Sequence, residues 1–482
     1  MAADWYRLSP GRPAAFALRG MVASSQWAAT RAGQRVFERG GNAVDAALAA
    51  AAVLAVTEPM STGVGGDLFA LVHGGGEQVG LDAAGPAPRA VEDPSRIALE
   101  GPESVTVPGA VAGWASLAGR FGRLGLDACL ADAIELAEGG FALGEHASRM
   151  WREAPRVPDG FAASPKPGDR VRIPELASTL RAIGREGPEA FYLGPVAEAI
   201  VGCSWLAEED LAGYAPRWVT PLEVPFGGLR VLELPPPTQG IAALEALALV
   251  GQTGTGMREQ LLAVQLSLED AFAHVRDGAD VAFLLSEDRL RRRALERPAP
   301  VGHLEGGTVY VCAVDEDLTA VSLIQSIYGH FGSGLCAPGT GVVLNNRAGC
   351  FSVNGRVESG RRPYHTLIPG MLTRPDGTLI GPFGVMGGLI QAQAHLQFVV
   401  AALEEGMDPQ RALDRSRFRL EGARVHLEPG LWDAGGVVAE LGLEPVQSRE
   451  VSIFGGGQAI FVRDGHLVGG SDSRKDGHAG GY

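Results

Sequence analysis

The stretch GGTVYVCAVDEDLTAVSLIQSIYG, residues 306–329, sets two apolar runs rich in β-branched and aromatic side chains on either side of the acidic turn Asp315-Glu316-Asp317. That composition predicts a β-hairpin whose first strand begins at Thr308. Two meanings of Thr308 compete. In one, a good strand former simply follows a glycine turn. In the other, the chain is cut before Thr308 and its hydroxyl becomes a nucleophile. A threonine hydroxyl is weak unless a base takes its proton. A threonine at a processed terminus carries that base in its own α-amine, whose reference pKa of about 8 leaves a neutral fraction at working pH. Before the cut, the same hydroxyl can attack the carbonyl of Gly307, and glycines at 306 and 307 allow a peptide geometry that side chains would obstruct.

Outward from this hairpin, Trp27 to Val56 reads as two helices broken at Gly40-Gly41, the second capped by Asn42 and ended by Pro59. The following loop, MSTGVGGDLFALVHGGG at 60–76, has neither a dinucleotide fingerprint nor a Walker loop and reads as a turn into a strand. Residues 110–300 are mostly helical in pattern and read as scaffold, LASTLRAIGREGPEAFYLGPVAEAIV being typical. Further strands are expected at VHLEPG, QAIFVRDG and HLVGG, with helices around Gln391 to Glu404 and Gln410 to Arg417. This alternation predicts an α/β sandwich with sheets packed inside helical layers.

Composition narrows the function. With 41 basic and 56 acidic residues the net charge is -15, which argues against a nucleic-acid partner. The one basic run, Arg289 to Arg293, has no interleaved aromatics and reads as a solvated helix face. The 5 cysteines form no CxxC pair and fit a reducing compartment, so a cytoplasmic location is expected. The opening MAADWYRLSPGRPAAFALRG has no apolar run of signal-peptide length, and Ala46 to Val56 falls far short of the roughly 20 residues that cross a bilayer, so no membrane partner is expected. His303, His330, His365 and His395 show no paired-ligand spacing, and neither metal nor other cofactor is expected.

Acyl chemistry also needs donors for a developing oxyanion, and Gly387-Gly388 in FGVMGGLIQAQAHLQ is a turn that can present backbone N–H groups. Taken in order, GGNAVDAALAAAAVLAVTEPMSTGVGGDLFALV, LDAAGPAP, VTVPGAVAGW, EGPEAFYLG, LPPPTQG, FGSGLCAPGTGVVLNN, MGG and GGSDSRKDGHAGGY resemble the motifs of the γ-glutamyltransferase (glutathione hydrolase) family of N-terminal nucleophile hydrolases along nearly the whole chain. The resemblance implies a four-layer αββα sandwich and self-cleavage before Thr308. It gives a large fragment, 1–307, and a small catalytic fragment, 308–482, that stay associated as one αββα domain, a homodimer being allowed. It makes Thr308 the nucleophile, Ser326 the hydroxyl bonded to the nucleophile's amine in place of the family's usual Thr, and Gly387 and Gly388 the oxyanion pair. Asn345 and Asn346 would stiffen the pocket wall or, equally well, be buried asparagines that satisfy loop carbonyls. The activity implied is cleavage of γ-glutamyl-type amide bonds in a small amide or peptide substrate, through an acyl-enzyme on Thr308.

Four positions that read a glutamyl head group depart from the family. Ala84 in LDAAGPAP stands where glutamate-binding members carry an Arg, Cys350 where they carry an acid, Tyr328 where they carry Asn, and His365-Thr366 where they carry a Ser pair. Losing an ion-pair partner for the substrate costs affinity. Arg347, His365 and Tyr328 would converge on the pocket and suit a different acid, Arg347 being apt for a planar carboxylate. On the plainer reading Arg347 is an exposed loop residue and His365 packs the core. This departed subgroup resembles members that hydrolyse small amide acids such as oxamate, a rival to the glutamyl substrate. A second rival is a catalytically silent relative acting as a binding scaffold.

Overall fold

The computed structural model describes residues 12–298, 302, 304 and 306–482. The first half of the opening stretch 1–20 and His303 lie outside the described residues. Two seven-stranded antiparallel sheets form the centre. One runs, edge to edge, Ala15–Ala17, His466–Ser471, Gly456–Arg463, Leu379–Met386, Gly370–Thr373, Leu229–Glu233 and Leu222–Phe226. The other runs His478–Gly481, Met21–Ser24, Gly307–Val314, Ala320–Tyr328, Asp67–Gly74, Glu77–Ala83 and Arg217–Val219. The hairpin at 307–328 thus lies at the middle of the second sheet, as its continuous apolar pattern requires, because both of its faces are covered.

Alternation along the strands separates the layers. Tyr310, Cys312 and Val314 belong to a core between the sheets with Leu232, Met371, Met386 and Ile460. Val309, Val311 and Ala313 pack outward with the helices Trp27–Glu38 and Ala43–Thr57. On the other side, Val231, Leu372, Phe383 and Phe461 pack against the helices Gly240–Thr253, Met257–His274 and Ile390–Leu403. The result is the expected αββα stack. The helix Ala43–Thr57 is buried along its whole length, and its alanines let it lie close on the hairpin: Gln325 Nε2 donates to Ala51 O at 2.8 Å. Asn42 caps it as expected, its side chain accepting from the N–H groups of Val44 and Asp45. Asp315 joins hairpin to helix, one carboxylate oxygen taking the Ala43 N–H and the other those of Asp317 and Thr319.

Two expectations are corrected. Within the stretch read as helical scaffold, Arg217–Val219, Leu222–Phe226 and Leu229–Glu233 are strands that complete both sheets; their two-residue alternation is short and was masked by the long helices around it. The basic run is only half a solvated face: Arg291 and Arg292 are exposed, but the other two arginines are held by buried acids. Arg293 is buried, bonded to Asp270 at 2.9 Å, Glu269 at 2.8 Å and Glu296, while Arg289 pairs with Glu245 and Asp270 at 2.7 Å each. Its acids lie mostly on other helices, beyond the reach of local sequence. Among the described residues, no helix is long and apolar enough to cross a membrane and no group of three His, Cys, Asp or Glu could hold a metal ion.

Candidate active site

Thr308 is buried, and it shares the strand face of Tyr310 and Cys312, between the sheets. The pairing of the hairpin slips at this point: Gly307 faces Tyr328 but Val309 faces Gln325, so Ser326 and Ile327 together oppose Thr308. Such a bulge re-aims side chains. Here it turns the Ser326 hydroxyl onto the carbonyl of Gly307, at 2.5 Å.

The direction of that bond follows from counting. A serine hydroxyl has one hydrogen and two lone pairs. Ser326 Oγ accepts from the Tyr328 N–H at 2.8 Å and from Arg347 Nη2 at 3.2 Å, which uses both lone pairs. Its only hydrogen is therefore given to the Gly307 carbonyl, the peptide that joins Gly307 to Thr308. The family resemblance puts Ser326 on the amine of the expected nucleophile; in this continuous chain the Thr308 nitrogen is an amide, and the hydroxyl polarises the neighbouring carbonyl instead. Tyr328 adopts φ 75, a left-handed conformation that costs a bulky residue on the order of 1–3 kcal/mol, and its N–H is thereby committed to Ser326.

Room around the Gly307–Thr308 peptide is scarce. A Cβ on Gly307 would come within 3.0 Å of His330 Cδ2 and 3.3 Å of Ser61 Cα, so a side chain there fits only if these neighbours shift by a few tenths of an ångström. A Cβ on Gly306 would lie 3.4 Å from the Tyr328 ring and 3.7 Å from Gly388 Cα, which brings the Gly387-Gly388 turn beside this peptide. Both turn glycines have positive φ, 124 and 68.

Arg347 is fully buried, not an exposed loop residue. Its Nε donates to Asp67 Oδ2 at 3.2 Å, its Nη1 reaches Cys350 Sγ at 3.8 Å, and its guanidinium carbon stands 4.8 Å from the centre of the Tyr328 ring. Asp67 was missed in the sequence, although an acid inside the apolar run GVGGDLFALV needs a buried partner and so signals one. Its other oxygen accepts from the Gly85 N–H at 2.8 Å. Burial pushes Asp67 up to about 6, against the pull of Arg347. Burial likewise raises the Cys350 thiol, leaving it neutral beside the arginine.

His365 is also fully buried, its ring edge-on to Phe69 with centres 4.9 Å apart and its Nε2 4.0 Å from Asp67 Oδ2. Burial and the charges of Arg347 and Arg362 hold it well below the ordinary histidine range, so it is neutral, and neither ring nitrogen has a hydrogen-bond partner among the described residues. Thr366 is tied by its carbonyl to Gln239 Nε2 at 2.9 Å. Asn345 braces the wall through Gly65, Thr106 and the Arg347 N–H, and Asn346 through Leu99 and Gly329. Ala84 is buried, and its carbonyl accepts from Arg362 Nε at 2.7 Å. The structure thus brings Thr308, Ser326, Tyr328, Arg347, Gly387 and Gly388 around one peptide, with His365 joined through Asp67.

The Gamma-glutamyltranspeptidase family profile matches residues 29–482. The chain is 32% identical to the oxamate amidohydrolase proenzyme of Klebsiella pneumoniae, over 96% of this chain and 98% of that protein. It is 31% identical to the glutathione hydrolase-like YwrD proenzyme of Bacillus subtilis, over 95% and 98%. Among solved structures, the cephalosporin acylase from Bacillus halodurans superposes with a TM-score of 0.91 at 36% identity, covering 99% of this chain and 98% of that one. The chain therefore belongs to the gamma-glutamyltranspeptidase family and is an enzyme of its hydrolase and acylase kind, built on the N-terminal nucleophile hydrolase fold.

Proposed function

We propose that this chain is a self-processing amidohydrolase whose nucleophile is Thr308. The observation that carries the reading is the Ser326 hydroxyl on the Gly307 carbonyl, directly across the bulge from Thr308. In the first stage Thr308 Oγ attacks the carbonyl carbon of Gly307. A C–O bond forms, the C–N bond breaks, and the hydroxyl proton passes to the departing nitrogen. Water then hydrolyses the ester, leaving the Gly307 carboxylate and a free Thr308 amine. The developing oxyanion is met by the Ser326 O–H. Fragments 1–307 and 308–482 remain associated, because each supplies strands to both sheets. In the second stage the freed amine takes the proton of Thr308 Oγ as it attacks a substrate amide and passes it to the leaving nitrogen as the C–N bond breaks. Water then hydrolyses the acyl ester on Thr308 and releases the acid, while Ser326 turns to the freed amine and the N–H groups of the Gly387-Gly388 turn serve the acyl oxyanion. The free cysteines fit a reducing, cytoplasmic setting.

The acyl donor is a short amide acid without an α-amino-acid head, of the oxamate kind. Ala84 offers no cation for an α-carboxylate and the neutral Cys350 no anion for an α-amine, while Arg347 keeps N–H groups that a small carboxylate can use. The family's γ-glutamyl donors are the second reading, supported by the family match itself. A bidentate charged contact contributes roughly 2–4 kcal/mol in a desolvated site, so glutathione is expected to fall about two orders of magnitude behind the better donor in kcat/KM. Ammonia or amine release from oxamate, short amide acids and γ-glutamyl amides tests this. A micromolar KM for glutathione would reverse the ranking while leaving the nucleophile untouched.

A further inference from the structure

We propose that Asp67 is a positioning residue for self-cleavage: through Arg347 it fixes the Ser326 hydroxyl on the carbonyl of Gly307. The proposal rests on the reading of Thr308 as the self-cleaving nucleophile. Its basis is a bracket. Asp67 and Ser326 are direct partners across neighbouring strands, and the Arg347 guanidinium spans the pair, Nε on Asp67 Oδ2 at 3.2 Å and Nη2 on Ser326 Oγ at 3.2 Å. The Gly85 N–H holds the second carboxylate oxygen, so the carboxylate cannot turn away freely. Asp67 is the one acid paired with Arg347 among the described residues.

The consequence for chemistry lies in the hydroxyl rotor. While Tyr328 N–H and Arg347 fill both lone pairs of Ser326, its hydrogen has a single outlet, the scissile carbonyl. If Arg347 drifts, one lone pair is released and the hydroxyl gains orientations that leave the oxyanion without its donor. Asp67 touches neither the nucleophile nor the carbonyl, so its influence passes entirely through Arg347.

The test is a time course of cleavage in freshly synthesised full-length chain, read on a denaturing gel. Asp67→Asn is expected to slow cleavage about tenfold or more, the worth of one charge-assisted hydrogen bond. Ser326→Ala slows it further, and the double variant is no slower than Ser326→Ala alone, since both act on one donor. Arg347→Lys, which keeps a charge beside Asp67 but loses the fork, is expected to be slow as well. It serves as the second probe if Asp67→Asn folds poorly. Wild-type cleavage is also expected to slow as pH falls through about 6, where Asp67 takes up a proton and lets Arg347 go, and Asp67→Asn is expected to lack this acid limb. The groups around Asp67 are Arg347, the neutral His365 and Cys350, the phenols Tyr192 and Tyr214, and Asp82, itself held by Arg362 and raised to about 6. Wild-type speed in Asp67→Asn, an unchanged acid limb, or losses that multiply in the double variant would each overturn the proposal. If Thr308→Ala itself still cleaves, the underlying reading fails instead.

Discussion

Two buried arginine groups in this molecule differ in how fully they are paired. In the tail group, each oxygen of Asp472 takes two donors: Oδ1 from the Arg474 N–H and Nη1, Oδ2 from Arg417 Nη2 and the Gly457 N–H. Arg474 also grips Glu428. Burial pushes Asp472 up, but Arg417 and Arg474 outweigh it and the group sits below the usual carboxylate range. Beside Ser326 the outcome is reversed. Asp67 has one arginine and one backbone donor, and burial wins. Equal burial therefore gives opposite electrostatics. The saturated group locks strands and tail together, whereas the under-paired one keeps hydrogen-bonding capacity beside a strained backbone and the Gly307–Thr308 peptide, where chemistry can use it.

The largest expected effect is at Thr308, the proposed nucleophile. Thr308→Ala removes the attacking oxygen and is expected to abolish both cleavage and turnover with the fold intact, while Thr308→Ser keeps part of each; residual amidase activity in the alanine variant would direct attention to Cys312 or Ser326. Ser326→Ala comes next. Loss of one oxyanion donor is expected to slow cleavage by about 10²–10³-fold, and a wild-type rate would show that the short bond to Gly307 is merely structural. The smallest effect sharpens the contrast between the two groups. In the uncut Thr308→Ala background, Asp472→Asn is expected to lower unfolding stability by about 3–5 kcal/mol, as for a broken buried pair, and Asp67→Asn by less, because fewer donors lose their acceptor. Urea midpoints measure both, and equal losses would erase the distinction.

The hairpin, its covered faces and the helix capped by Asn42 were legible in the sequence because each is a local pattern: β-branched runs around an acidic turn, and a cap ahead of an alanine helix. The family motifs brought Thr308, Ser326 and the glycine turn onto one list of residues. What they did not contain was the state of the peptide. Ser326 serves the Gly307 carbonyl because a bulge shifts the register by one residue, and no composition rule announces a bulge. Asp67 and Arg347 lie 280 positions apart, so their pairing is set by the sheet order and by the loop after Asn346. The same distance effect hid the acids that bury Arg293.

Intact-mass measurement of the freshly purified wild-type protein, beside Thr308→Ala, tests the central claim most directly. The account predicts two species for the wild type, residues 1–307 and 308–482, co-eluting under native conditions, and one unbroken chain for Thr308→Ala. A wild-type protein that remains one chain and still hydrolyses its amide, or a cut at any other peptide bond, would contradict it.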